Sequence, residues 1–208
     1  LRQALESYDK ARSIWTSISD FANASNAALE SGDIQFLFSK YAEALKRYKN
    51  AEATAVASGD WLAEARALSR MGRLYTYLGN NDLALKQVTK SLDIFKQHDA
   101  IRSNAYGQTL TDLAEVTYEK GDFVKSSKQL EGALEVFQND RKGEARVHLL
   151  KGYIAGGIGQ PEKAVTEISL ALDLYREVND RVGEGLALTA LGLTYSWKRE
   201  DTAAINMH

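Results

Sequence analysis

The chain has 208 residues, 44% of them hydrophobic, enough to build a continuous core in one or two domains. Its 26 basic and 28 acidic side chains leave a net charge of −2, which excludes the cationic surplus needed by a general nucleic-acid binder or a polybasic membrane patch. With no cysteine, disulfides and thiolate metal sites are excluded as well, and no apolar run approaches the roughly 18 residues of a membrane span.

The predicted elements are all helices. Apolar residues at helical spacing place ten of them at about 3–19, 21–38, 41–58, 61–78, 81–97, 100–120, 122–138, 141–158, 161–178 and 181–198, and an eleventh is expected to begin near Thr202. Leu68, Met71, Leu74 and Tyr75 form one apolar face; Leu85, Val88, Leu92 and Phe95 form the next. The scheme returns at Leu110, Leu113 and Val116, at Leu130, Leu134 and Phe137, and at Ile168, Leu172 and Tyr175. The single proline, Pro161, sits near a predicted helix start, where its missing N–H does no harm. No strand-like alternation of useful length is present.

These helices repeat with a period near 40. Asn139-Asp140-Arg141-Lys142-Gly143-Glu144 returns as Asn179-Asp180-Arg181-Val182-Gly183-Glu184. Asp20, Asp60, Asp99, Asp140 and Asp180 form a series expected to cap helix starts, since a carboxylate accepts from the orphan amides there and suits the positive end of the dipole. Gly32, Gly72, Ala114, Gly152 and Gly192 form a mid-helix series. A glycine there is unfavourable by roughly 1 kcal/mol and is expected only where another helix passes too close for a larger side chain. Gly79, Gly121 and Gly159, with Ser39 and Arg199 in their places, mark the turns between helices. Small residues at Ala44, Ala84, Ser126, Ala164 and Ala204 follow each turn. The expected organisation is a single unit over 1–208: a half repeat 1–19, repeats 20–59, 60–98, 99–139 and 140–179, and a partial repeat 180–208.

Leu68, Gly72, Tyr75, Gly79 and Ala84 together resemble the tetratricopeptide repeat. Leu188, Gly192, Tyr195 and Ala204 match with Arg199 at the turn, and Leu149, Gly152, Ala155, Gly159 and Ala164 match without the aromatic residue. The period exceeds the family's usual length, and the usual proline is missing. The Asp-Arg-x-Gly-Glu element is similar to the long repeats of bacterial signalling proteins associated with CHAT domains, and to those of kinesin light chains. The resemblance implies an all-α fold, a right-handed α-α superhelix of helical hairpins, whose first helices line a concave wall.

It also implies an interaction module that binds a protein or peptide in that groove, as part of a larger scaffold or signalling protein. The alternative is a regulatory or sensor segment of a multidomain enzyme, a CHAT protease or kinase, or of a transcription regulator. Projected onto the concave wall are Asn26, Leu29, Asp33 and Phe36; Arg66, Ser69, Arg73 and Tyr77; Gln108, Thr111, Glu115 and Glu119; Arg146, Leu149, Tyr153 and Gly156; and Leu186, Thr189, Leu193 and Trp197. The partner-binding set drawn from them is Arg66, Arg73, Tyr77, Glu115, Arg146, Tyr153 and Trp197. Arg73 and Arg146 would pair acidic groups, and Tyr77, Tyr153 and Trp197 would anchor a ligand. The plainer reading of each is a solvated polar residue or ordinary helix packing. The Lys and Asn set of chaperone-tail binders is replaced by Ser69, Arg73, Thr111 and Glu115, so no such tail is expected.

No catalytic constellation emerges, and no enzyme, cofactor or metal is expected. His98, His148 and His208 lack metal-ligand spacing. Trp15 and Trp61 read as inter-helix packing. Ala155-Gly156-Gly157-Ile158-Gly159 reads as a weakened helix end before Pro161, or else a hinge or a close ligand approach. Leu1-Arg2-Gln3-Ala4 is no signal peptide and lacks an initiator Met, so the chain reads as cut from something longer. It is expected in the cytoplasm, although a cysteine-free chain suits an extracytoplasmic site equally. The first helix matches the second member of a hairpin, and the last hairpin is incomplete. Uncapped ends of this kind suggest packing on neighbours, a homodimer included. No nucleic-acid or membrane partner is expected.

Overall fold

A computed structural model describes the backbone over residues 2–205 and side chains over 2–196. The described residues form ten helices and no strand: α1 Arg2–Ser17, α2 Phe21–Leu37, α3 Tyr41–Ser58, α4 Trp61–Tyr77, α5 Asn81–Gln97, α6 Asn104–Glu119, α7 Phe123–Val136, α8 Arg141–Gly157, α9 Pro161–Glu177 and α10 Arg181–Ile205. None is long and apolar enough to cross a membrane. The helices gather into two compact units, residues 1–101 and 102–208. In the first, α2 pairs with α3 and α4 with α5, α1 lies on α2, and α4 lies on both α3 and α2. In the second, α6 pairs with α7 and α8 with α9, and α10 lies on α9 and α8. Short connections force each pair to run antiparallel, so each unit is a stack of helical hairpins.

The helix starts follow the aspartate series at four of its five places. Asp20, Asp60, Asp140 and Asp180 accept the backbone N–H of Asn23, Ala63, Gly143 and Gly183 at 2.9–3.1 Å. Asp99 does not. Its φ is +51°, the chain turns through 100–103, and Ser103 caps α6 by accepting from Tyr106 N at 3.2 Å. Helix α6 therefore begins four residues later than the periodicity predicts, and the extra residues are spent in the turn. Asn80 and Asp122 supply two further caps, to Leu83 and Lys125. The turn glycines Gly79, Gly121 and Gly159 all have positive φ, the left-handed stop that lets a helix end. Arg199, which holds that place in the last repeat, makes no such stop. A residue of good helix propensity lets the backbone of α10 continue to Ile205, so the expected turn and eleventh helix do not form.

The mid-helix small residues set the spacing between paired helices. A Cβ added at Gly32, Gly72 or Gly152 would come within 2.5, 2.3 and 2.4 Å of Tyr48 Cε1, Val88 Cγ2 and Ile168 Cγ1. Ala114 plays the same part, fully buried opposite Leu130. Hydroxyls add cross-links where helices touch. Ser25 Oγ donates to the Ala51 carbonyl at 2.9 Å, Ser91 Oγ to Ala65 at 2.7 Å, and Ser126 Oγ to Ala114 at 2.7 Å. The core of the second unit joins Leu149, Ile168, Leu172, Leu174 and Tyr175 to Ala187 and Ala190 of α10. Trp61 packs between helices as expected, edge-on to Phe95 at 6.1 Å and stacked on His98 at 4.4 Å.

Candidate ligand wall

Helices α2 and α4 build one wall in the first unit. Arg66, Arg70, Arg73 and Tyr77 fall along one side of α4, and Glu30, Asp33 and Phe36 face them from α2. Asp33 is the centre of this group. It accepts from the Tyr48 hydroxyl at 2.7 Å, from Arg70 Nε at 2.8 Å and from Arg73 at 3.4 Å, while Arg70 also reaches Glu30 at 3.5 Å. Burial opposes the charge of Arg70, but the two carboxylates more than offset it and hold its pKa up. Burial first, then the Asp33 charge, pushes the Tyr48 phenol far up, so it acts as a permanent donor.

Arg73 is freer. One long bond to Asp33 leaves most of its donors unused, and its guanidinium sits 5.6 Å from the Phe36 ring centre, within cation–π range. Phe36, Tyr41 and Tyr77 form a ring cluster with centroids 5.1–5.7 Å apart. Hydrogen bonds from Ser39 and then Tyr77 lower the Tyr41 phenol, and the bond to Tyr41 raises that of Tyr77. Tyr77 nevertheless remains 63% exposed. Arg66 is exposed and makes no ion pair among the described residues.

The wall of the second unit has the opposite sign. Asp112, Glu115 and Glu119 lie on α6, and Arg146 and Tyr153 on α8. Arg146 pairs with Asp112 at 2.5 Å and with Glu115. Burial works against its charge, yet these two carboxylates keep it firmly protonated. Arg146 is thus already engaged by the chain's own acids, contrary to a role as an open anion receptor. Glu119 has no such cation: burial and then the neighbouring Glu115 raise its pKa. Tyr153 is partly exposed, its phenol raised by burial and then by Tyr118 and Glu115. Tyr175, beneath this wall, is buried and pushed up to about 12, chiefly by burial, which outweighs the lowering pull of Arg146.

One projected column turns inward. Leu29, Ser69, Thr111 and Leu149 are all buried, because this side of each first helix meets its neighbours in the stack. Leu186 and Leu193 on α10 are exposed, and the side chain of Trp197 lies outside the described residues. Spacing alone missed Asp112 and Arg70. Both are helix-face neighbours of projected residues, at i−3 from Glu115 and Arg73, and that offset was the available signal. Among the described residues no group of three His, Cys, Asp or Glu side chains is placed to hold a metal.

A family described as tetratricopeptide repeat matches residues 23–97. No curated protein matches the chain. Solved structures do. BtubC (BKLC) from P. vanneervenii aligns with a TM-score of 0.68 at 16% identity, over 100% of this chain and 92% of that one. A Rap protein complexed with Competence and Sporulation Factor aligns at 0.77 and 16% identity, over 98% of this chain and 61% of that one. A Signal Transduction ATPase with Numerous Domains, with a tetratricopeptide repeat sensor, from Pyrococcus horikoshii aligns at 0.65 and 20% identity, over 90% of this chain and 28% of that one. At these identities the likeness is one of fold.

Proposed function

We propose, for this chain of tetratricopeptide repeats, that it recognises an extended protein or peptide segment along the exposed sides of its first helices. The repeat fold is that of a protein-interaction module. The observation that carries the finer reading is the α4 column. Arg66, Arg73 and Tyr77 are spaced seven and four residues apart, so they share one side of the helix. There a large aromatic ring is left mostly in water beside unused guanidinium donors. Exposed aromatic and arginine side chains together are the usual anchors of a binding surface. Arg73 and Arg66 would take acidic groups of the ligand, and Tyr77 an apolar or cationic side chain.

In the second unit Glu115 and Tyr153 serve a basic or polar part of a ligand. Arg146 acts through Glu115, fixing its carboxylate. No step of chemistry is assigned to any of them.

The test is titration of labelled peptides, acidic and basic, with binding read by fluorescence anisotropy. A double variant Arg66→Glu, Arg73→Glu weakens the acidic ligands at least tenfold and leaves the helical circular dichroism unchanged. Unaltered affinity in that variant would remove the α4 column from the binding surface.

A sensor or regulatory segment is the second reading. It is favoured by the neighbours that this chain spans only in part: the Rap protein, complexed with Competence and Sporulation Factor, and the ATPase, which has a tetratricopeptide repeat sensor. The two readings share the wall and differ in what lies beside it. Ligand-dependent activity of a covalently attached domain, measured on the full-length protein, distinguishes them.

A further inference from the structure

Helices α2 and α4 each carry their paired second helix, α3 and α5, so the columns left open on them belong to complete hairpins. Along α4 the three arginines are not equivalent. Arg70 is spent within the fold, with Nε on Asp33 at 2.8 Å and a terminal nitrogen on Glu30 at 3.5 Å. Arg73 gives Asp33 one long bond of 3.4 Å, and Arg66 makes no ion pair among the described residues. Beside Arg70 the Glu30 side chain is 49% exposed. The middle of the column therefore shows carboxylate to water, and its two ends show guanidinium.

Helical rise fixes the scale. Arg66 and Arg73 are seven residues apart, about 10 Å along the axis and close to two turns around it. An extended chain covers that distance in three residues, at roughly 3.1–3.3 Å each. Extended conformations differ in where their side chains go. In a β-strand, residues three apart point to opposite faces. In a polyproline II helix, with three residues per turn, they return to the same face. A chain of that conformation lying along α4 brings two acids, three residues apart, onto the two arginines at once. Side chains between the two acids point to either flank, and the one over α2 meets Glu30. A third acid there faces like charge.

On the reading that Arg66 and Arg73 receive acidic groups, we propose that the first unit selects a segment of the form acid-x-x-acid in polyproline II conformation, with no acid between the two. Arg66 takes one acid and Arg73 the other. Arg70 takes neither, because Asp33 and Glu30 already hold it. Glu30 sets the specificity by opposing a continuous acidic run. Discrimination then rests on a repulsive contact as well as on the two attractive ones.

The test is fluorescence anisotropy of the chain with labelled proline-rich peptides that carry two glutamates separated by one, two, three or six residues. The peptide with two intervening residues binds at least threefold tighter than the others. A run of four glutamates binds at least threefold more weakly than Glu-x-x-Glu, despite its greater charge. Glu30→Gln removes that penalty and leaves the helical circular dichroism unchanged. Equal affinity at every spacing overturns the proposal and leaves the arginines as receivers of acids. So does tightest binding at six intervening residues, the interval at which a helical ligand would span two turns. A penalty that survives Glu30→Gln, or an acidic run that binds tightest, also overturns it. If none of the peptides binds, the proposal and the reading beneath it fall together.

Discussion

The α2–α4 wall and the α6–α8 wall are built on the same hairpin and carry opposite charge. The first pairs Arg70 and Arg73 with Glu30 and Asp33 and adds Arg66; the second pairs Arg146 with Asp112 and Glu115 and adds Glu119. Both keep a carboxylate–guanidinium pair at least half-buried at the base, and an exposed tyrosine, Tyr77 or Tyr153, nearby. Two jobs are therefore separate within one repeat. Small residues at the helix contacts fix the scaffold, and the columns beside them are free to change sign without disturbing it.

The two walls differ most at their arginines. Arg146→Ala strands the buried Asp112 carboxylate and is expected to cost about 3–5 kcal/mol, read by urea denaturation. Arg66→Ala, on the wall of the first unit, is expected to change stability by under about 0.5 kcal/mol. Equal costs would mean that Arg66 is held by the fold too. The glycines come next. Gly72→Ala drives a methyl group into Val88 and costs about 1–3 kcal/mol in packing, against about 1 kcal/mol gained in helix propensity, so its melting point falls. At Gly192 no described residue lies within 4 Å of an added Cβ, so Gly192→Ala raises the melting point of the chain alone. A smaller contrast lies in the caps: Asp140→Ala costs about 1 kcal/mol. Asp99→Gly stabilises slightly, because Asp99 holds a left-handed conformation and caps nothing.

The smallest effect concerns Glu119. Its folded-state pKa is raised, so ionising it weakens the fold as pH climbs through the carboxylate range, and the penalty is absent in acid. Glu119→Gln is therefore expected to raise the melting temperature slightly at neutral pH. The variant and the parent should converge in acid, where both side chains are neutral.

Much of the fold was legible because the repeat writes each contact several times. Gly32, Gly72 and Gly152 announce a close helix crossing, and Asp20, Asp60, Asp140 and Asp180 announce helix starts. The misreadings lie where one copy departs from the others. Asp99 keeps the period but sits before an inserted turn, and Arg199 keeps the place of a turn glycine without its conformational freedom. The wall was harder to read. A helical wheel places Leu149 and Arg146 on neighbouring columns, but only three-dimensional packing buries the first and binds the second to acids more than thirty residues earlier. Charge pairing across hairpins leaves no local pattern in the chain.

Within each unit, packing joins helices that are consecutive or next but one along the chain. Short loops close before long ones, so a chain of this kind can begin to order itself at any hairpin and spread outward. Microsecond-to-millisecond refolding is the expected regime. Under mild denaturant α1, which packs on α2 alone and buries no residue, should exchange its amide hydrogens first, and α4 and α8, each packed on three or more helices of its unit, should exchange last.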